Sequence, residues 1–143
     1  MSYTKVLVHY IFSTQGRKPL ISNELQPELW AYMGGIARTN RMKALAIGGT
    51  LDHAHLLLSL PATMAVAKAV QVIKAGSSKW LNSQKNTKWF EWQEEYGAFT
   101  IGIAQREATI QYILTQAQHH AKKSFDDEFK IILQRHGMEL YAK

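Results

Sequence analysis

Leu51-Asp52-His53-Ala54-His55-Leu56-Leu57-Leu58-Ser59-Leu60 has a polar head with two histidines and an almost unbroken apolar tail. Side chains on a strand alternate between faces, so His53 and His55 present both imidazoles to the same side of a sheet. The run from Leu56 to Leu60 reads as a strand buried on both faces, and so as central in its sheet. Two imidazoles held on a rigid strand are half of a metal site. They are also what a hydrogen-bonded pair in a polar pocket looks like, and only a second element can decide between the two.

Working outward, Met42 to Ile47 reads as a strand, and Gly48-Gly49 as the turn of a hairpin into the His53 strand. Lys5 to Phe12 is a further strand, with Val6, Val8, Tyr10 and Phe12 on one face and Leu7, His9 and Ile11 on the other. Gln15 to Pro19 is a basic loop that contains Arg17. Ser22 or Asn23 can cap a helix carrying Leu25, Leu29, Tyr32, Met33 and Ile36 on one face, with Pro27 in its first turn. A helix from Pro61-Ala62-Thr63 places Val66, Val70, Ile73, Ser77 and Trp80 along one side. Phe99 to Ile103 reads as a last strand, followed by a helix from Arg106 to Lys123 and another from a Ser124 cap to Gly137. The order strand, helix, strand, strand, helix, strand, helix predicts an α+β fold, a mostly antiparallel ferredoxin-like sheet with helices packed on one face.

The chain has 143 residues, 46% of them apolar, which suits one domain over 1–143 with a single core. It has no cysteine, so disulfides and zinc-thiolate sites are excluded, and any metal must be held by imidazole or oxygen. No signal-peptide pattern and no apolar run near the ~20 residues of a membrane span are present, so a cytoplasmic protein without membrane contact is expected. A formal net charge of +6 favours an anionic partner such as nucleic acid. No acidic residue lies between Asp52 and Glu91, whereas Lys68, Lys74, Lys79, Lys85 and Lys88 all do. Such a segment is either a solvated helix face or a set of phosphate contacts. Trp89-Phe90-Glu91-Trp92 beside it is either core or a surface for stacking bases.

The second element is the Arg106 to Lys123 helix. Its apolar face is Ile110, Ile113, Leu114, Ala117 and Ala121, while Tyr112, Gln116 and His119 form a separate stripe at spacings of four and three. Tyr112 offers a nucleophilic hydroxyl and Gln116 an oxygen suited to a third metal ligand.

His-hydrophobic-His on a strand with Tyr-x-x-x-Gln on a late helix resembles the single-tyrosine HUH transposases of small bacterial insertion sequences, and their relatives associated with repetitive extragenic palindromes. The resemblance extends over nearly the whole chain, through His9-Tyr10-Ile11-Phe12-Ser13-Thr14, Ile73-Lys74, Ser77-Ser78-Lys79-Trp80, Trp92-Gln93, Glu95-Tyr96-Gly97-Ala98-Phe99, His119-His120, Ser124-Phe125 and Glu128-Phe129.

It implies that C-terminal helices carry the tyrosine, and that Tyr112 attacks single-stranded DNA near a hairpin, joining its 5′-phosphate and freeing a 3′-hydroxyl. It further implies that His53, His55 and Gln116 hold a divalent ion, Mg2+ or Mn2+, although imidazoles alone suit zinc, copper, iron or nickel better. It also implies a homodimer in which the tyrosine helix of one subunit completes the site of the other.

Around this core, His119 and His120 are candidates for assisting the leaving hydroxyl, approaching the metal or binding phosphate. Lys68, Lys74, Lys79 and Arg17 are candidate DNA contacts. His9 and Asp52 are candidates for orienting a ligand imidazole. Ala54 stands where relatives commonly carry a bulkier residue and is expected to affect packing only. Tyr3, Tyr10, Tyr32, Tyr96 and Tyr141 lack a Gln partner at helical spacing and read as structural. Two rival functions are a non-catalytic hairpin DNA- or RNA-binding module and a hydrolytic nuclease in which the metal activates water.

Overall fold

Apolar side chains on both faces, β-branched and aromatic in β1 (Val6–Ser13) and mostly leucine in β3 (His53–Leu60), let these two strands lie side by side at the centre of a sheet. They pair antiparallel in a register that sets Ile11 against His55 and Ser13 against His53. β2 (Lys43–Gly49) borders β3 and β4 (Gly97–Thr100) borders β1, which completes an open four-stranded antiparallel sheet of order β2-β3-β1-β4. The computed structural model describes residues 2–120 and 124–138, except for the side chains of 119 and 120.

One face of the sheet carries the larger core. α1 (Leu25–Thr39) buries Leu29, Met33 and Ala37, and α2 (Val66–Lys85) buries Ala69, Val70, Ile73, Ser77 and Leu81. They meet Val8, Tyr10, Phe12, Ala54, Leu56 and Leu58 from the sheet. Ala54 therefore faces away from the histidines, and its small side chain is a packing feature, as expected. Phe90 and Trp92 close the same core edge to face, 4.7 Å between centroids, and Trp92 Nε1 donates to Ser77 Oγ at 2.9 Å. Trp89 is half-buried, and its Nε1 donates to the Leu81 carbonyl at 2.9 Å. Phe90 and Trp92 are thus core structure, whereas Trp89 is anchored by its indole nitrogen and keeps part of its ring outside the core, with Lys85 over it.

The opposite face is covered by the C-terminal helices. α3 (Arg106–Leu114) lies over Leu7, Ala46 and Leu57 through Ile113, and α5 (Phe125–Arg135) lies over Ile11 and Phe99 through Ile132 and Leu133. α4 (Gln116–His120) is the short helix after α3. The Ser124 side chain caps α5 by accepting from the Asp127 amide, and Gly137 with φ +69° follows its end, as the sequence predicts.

Four local expectations change. The helix expected from Pro61-Ala62-Thr63 begins only at Val66, after a turn at 62–63. Gly48 and Gly49 are not the hairpin turn: both sit within β2, paired with His55 and Ala54, and the turn falls on 50–52. A Cβ at Gly48 would collide with the backbone carbonyl of Ile113, so glycine is required for α3 to dock on the strand. The helix expected over Arg106 to Lys123 breaks at Thr115, whose φ of −111° leaves the helical region and whose hydroxyl bonds back to the Gln111 carbonyl. Finally, the last strand stops at Thr100, and a 3₁₀ turn takes Ile103–Gln105.

Candidate active site

The site forms where β3 passes beneath α3, α4 and α5. His53 and His55 project from the same face of β3, with ring centroids 5.2 Å apart. Register places His9 of β1 beside them: His9 Nε2 lies 2.9 Å from His55 Nδ1. His53 Nδ1 lies 2.8 Å from Asp52 Oδ1 and 2.9 Å from Thr50 Oγ1. The two residues proposed to orient the imidazoles, His9 and Asp52, are therefore both in place, one on each ring. With Nδ1 engaged on each histidine, both Nε2 atoms turn toward the helices.

Gln116 meets them from α4. Its amide nitrogen donates to the Tyr112 carbonyl at 3.1 Å, which turns Oε1 to within 3.3 Å of His53 Nε2. Tyr112 stands over His55 at 5.7 Å between centroids, close to perpendicular. The structure thus brings together Tyr112, His53, His55 and Gln116 from one chain. α3 docks through Ile113 onto its own β2 at Gly48, and that contact carries Tyr112 and Gln116 to their own chain's histidines.

One residue that the sequence reading quoted only within the resemblance, without a role, lies at the centre. Glu128 of α5 places Oε1 3.1 Å from His55 Nε2 and 3.6 Å from His53 Nε2, while Oε2 accepts a hydrogen bond from the Tyr112 hydroxyl. His53 and His55 are 0% exposed, Gln116 1% and Glu128 4%, so this is an interior polar cluster. A signal for Glu128 existed: it falls at i+3 from Phe125 and i−4 from Ile132, on the apolar stripe of α5. A carboxylate in that stripe has to be partnered.

Electrostatics separate the roles. Burial first, and then the neighbouring His55, push the His9 imidazole down to about 3, so His9 is neutral near pH 7. Burial also raises the Tyr112 phenol well above its usual value, and the hydrogen bond and charge of Glu128 raise it further, so the hydroxyl keeps its proton near pH 7. Beside Tyr112 opens a cavity of about 360 Å³, where His9, Arg135 and His136 share the lining with Tyr112 itself.

The donor set fits a divalent cation. Two imidazole nitrogens, an amide oxygen and a carboxylate oxygen converge, and the His53, His55 and Glu128 ligand atoms all lie within 4.8 Å of one another. When Nδ1–H of His53 donates to Asp52, its Nε2 lone pair faces the Gln116 oxygen, an acceptor against an acceptor. A cation relieves that opposition, as protonation would.

The other candidate residues separate. Lys68 and Lys79 are exposed on α2. The Lys74 ammonium donates to the carbonyls of Gln93 at 2.5 Å and Glu94 at 3.0 Å, and lies over the Phe12 ring. Its pKa is lowered by burial, with Glu94 opposing. Arg17 pairs with Asp126 and covers the Phe125 ring, fastening α5 to the end of β1. The His119 and His120 side chains, and Tyr141, lie outside the described residues. Tyr10 is buried and donates to the Val66 carbonyl, a structural role as expected.

The profile of the family described as "Transposase IS200 like" matches residues 2–116. Among curated proteins, none matches the chain. Two similar solved structures carry the same fold. A protein assigned as a transposase from Deinococcus radiodurans R1 is 23% identical with a TM-score of 0.65, over 78% of this chain and 91% of that one. A REP-associated tyrosine transposase bound to a REP hairpin is 18% identical with a TM-score of 0.57, over 79% of this chain and 67% of that one. Among the described residues, no helix is long and apolar enough to cross a membrane.

Proposed function

The chain belongs to the IS200-like transposase family, and from that premise we propose that it cleaves and rejoins single-stranded DNA at hairpin-flanked ends through Tyr112. The observation that carries this reading is the convergence of Tyr112, His53, His55 and Gln116 in one buried cluster. The hairpin-bound relative supports a folded DNA end as the partner. Residues 1–143 are read as one transposase domain, a reading supported by the packing of α5 on the same sheet that carries the histidines.

In the proposed reaction the Tyr112 oxygen bonds to phosphorus, the bond from phosphorus to the 3′-oxygen breaks, and a proton passes from the phenol to the departing 3′-hydroxyl. The product is a 5′-phosphotyrosine and a free 3′ end; rejoining reverses the step with another end. His53, His55 and Gln116 would hold a divalent ion, Mg2+ or Mn2+, whose positive charge would polarise and orient the scissile phosphate. The chain's own residues do the rest. Asp52 and His9 fix the imidazoles, Gln116 ties its amide to the Tyr112 backbone, and Glu128 holds the nucleophilic hydroxyl. The half-buried edge of Tyr112, with Arg135 and His136 beside it, is where the phosphodiester reaches the nucleophile. His119 and His120 stay candidates for assisting the leaving group.

The test is incubation of the full chain with end-labelled single-stranded hairpins drawn from the DNA flanking the gene, plus Mn2+, resolved on a denaturing gel. A labelled adduct is expected in wild type, lost in Tyr112→Phe and with chelator. Binding without any adduct would leave a non-catalytic hairpin-binding module, and cleavage that persists in Tyr112→Phe would point to a hydrolytic nuclease. In the same assay an equimolar mixture of Tyr112→Phe and His55→Ala is expected to stay inactive if each chain builds its own site. Recovered activity would mean that a homodimer exchanges α3 between subunits.

A further inference from the structure

Glu128 reaches the site cluster from α5, and its two oxygens do different things. Oε2 accepts from the Tyr112 hydroxyl. Oε1 sits between the two histidines, 3.1 Å from His55 Nε2 and 3.6 Å from His53 Nε2. The outer nitrogens of both rings are already engaged, by His9 on His55 and by Asp52 and Thr50 on His53. Both inner nitrogens therefore aim at one small volume, which Gln116 Oε1 reaches from α4 and Glu128 Oε1 from α5. All four side chains are buried, and the placement is held from outside by the Ser124 cap, the Arg17–Asp126 pair and the seat of Ile132 and Leu133 on the sheet.

We propose that Glu128 is a protein ligand of the divalent ion, so that this chain binds its metal through two imidazoles and a carboxylate, with the Gln116 oxygen alongside. The inference rests on the preceding reading that His53 and His55 bind a divalent ion, and it names a ligand which that reading lacks. It also removes a chemical tension. Two imidazoles and a neutral amide suit zinc or copper, whereas an anionic carboxylate oxygen moves the preference toward Mn2+ and Mg2+. Because the second oxygen of the same carboxylate holds Tyr112, one side chain sets the distance between the nucleophile and the ion.

The experiment is titration of the full chain, without DNA, by Mn2+ and by Mg2+, following heat in a calorimeter and the electron paramagnetic spectrum of bound Mn2+. Glu128→Gln keeps the shape and hydrogen-bonding reach of the side chain and removes its charge. It is expected to weaken Mn2+ binding by about tenfold or more and to change the spectrum of the bound ion, with a melting curve in chelator close to wild type. Glu128→Asp, the variant to use if Glu128→Gln does not fold, keeps the carboxylate one methylene short and is expected to weaken binding by a smaller factor. Wild-type affinity and an unchanged spectrum in whichever of the two variants folds would overturn the proposal. His55→Ala separates the two levels of inference. If it loses Mn2+ while both Glu128 variants keep wild-type affinity, the metal reading stands and the Glu128 ligand falls. If it too binds Mn2+ like wild type, the ion is not at this cluster and both fall.

Discussion

His53 shows how one neighbour decides what an imidazole can do. Asp52, next in the chain, reaches Nδ1 at 2.8 Å from the strand edge and is itself steadied by Thr50 Oγ1 at 3.1 Å. A carboxylate on Nδ1 selects the tautomer with its lone pair on Nε2 and makes that lone pair a better donor to a cation. Asp52→Asn keeps the size but removes the charge, so Mn2+ affinity is expected to fall about tenfold, read by calorimetry. The Asp52 side chain is 31% exposed while His53 is fully buried, so the circular dichroism spectrum should not change. Unaltered affinity would mean that Thr50 alone orients the ring. The His53–Asp52 relation was legible because it is local in sequence. Glu128 lies 73 residues from its partner His55, and only the apolar stripe of α5 hinted that it turns inward.

At the scale of elements, the docking of α3 on β2 determines whether Tyr112, the proposed nucleophile, meets the histidine cluster. Gly48 is the contact point, since a Cβ there would strike the Ile113 backbone carbonyl, which cannot swing aside as a flexible side chain can. Gly48→Ala is expected to cost about 1–3 kcal/mol of stability through overpacking. Tyr112 and Gln116 flank Ile113, so the yield of DNA adduct should drop further than in a variant equally destabilised elsewhere. Gly35→Ala, in open space on α1, serves as control: better helix propensity should raise stability by about 0.5–1 kcal/mol without changing the adduct. If Gly48→Ala forms adduct like wild type, α3 does not depend on this seat. The strands and the first two helices were readable because their apolar residues follow one period for most of their length. Gly48-Gly49 looked like a turn because close approach of a distant backbone leaves the same mark in sequence as a reversal of the chain. The break at Thr115 was hidden too, since Tyr112, Gln116 and His119 keep helical spacing across it.

Over the whole molecule, the net charge of +6 supplies attraction to DNA, and the structure divides the lysines of α2 into two kinds. Lys68 and Lys79 stand exposed, whereas Lys74 is half-buried, with its ammonium on the carbonyls of Gln93 and Glu94. A lysine that contacts phosphate releases counterions, so its removal should lower the slope of log affinity against log salt by about 0.7 per contact for single strands. Lys68→Ala and Lys79→Ala are therefore expected to weaken binding of a fluorescent hairpin strand by similar factors for every sequence tried, with a shallower salt slope and an unchanged melting temperature. Lys74→Met should do the reverse. It removes the charged donor from the half-buried Gln93 carbonyl and the exposed Glu94 carbonyl, at a cost of about 1 kcal/mol, while the salt slope stays that of wild type. Anisotropy titrations at several salt concentrations, paired with melting curves, check both halves of this prediction. A shallower slope in Lys74→Met would place that ammonium on DNA, and would require the segment bearing Gln93 and Glu94 to give it up on binding.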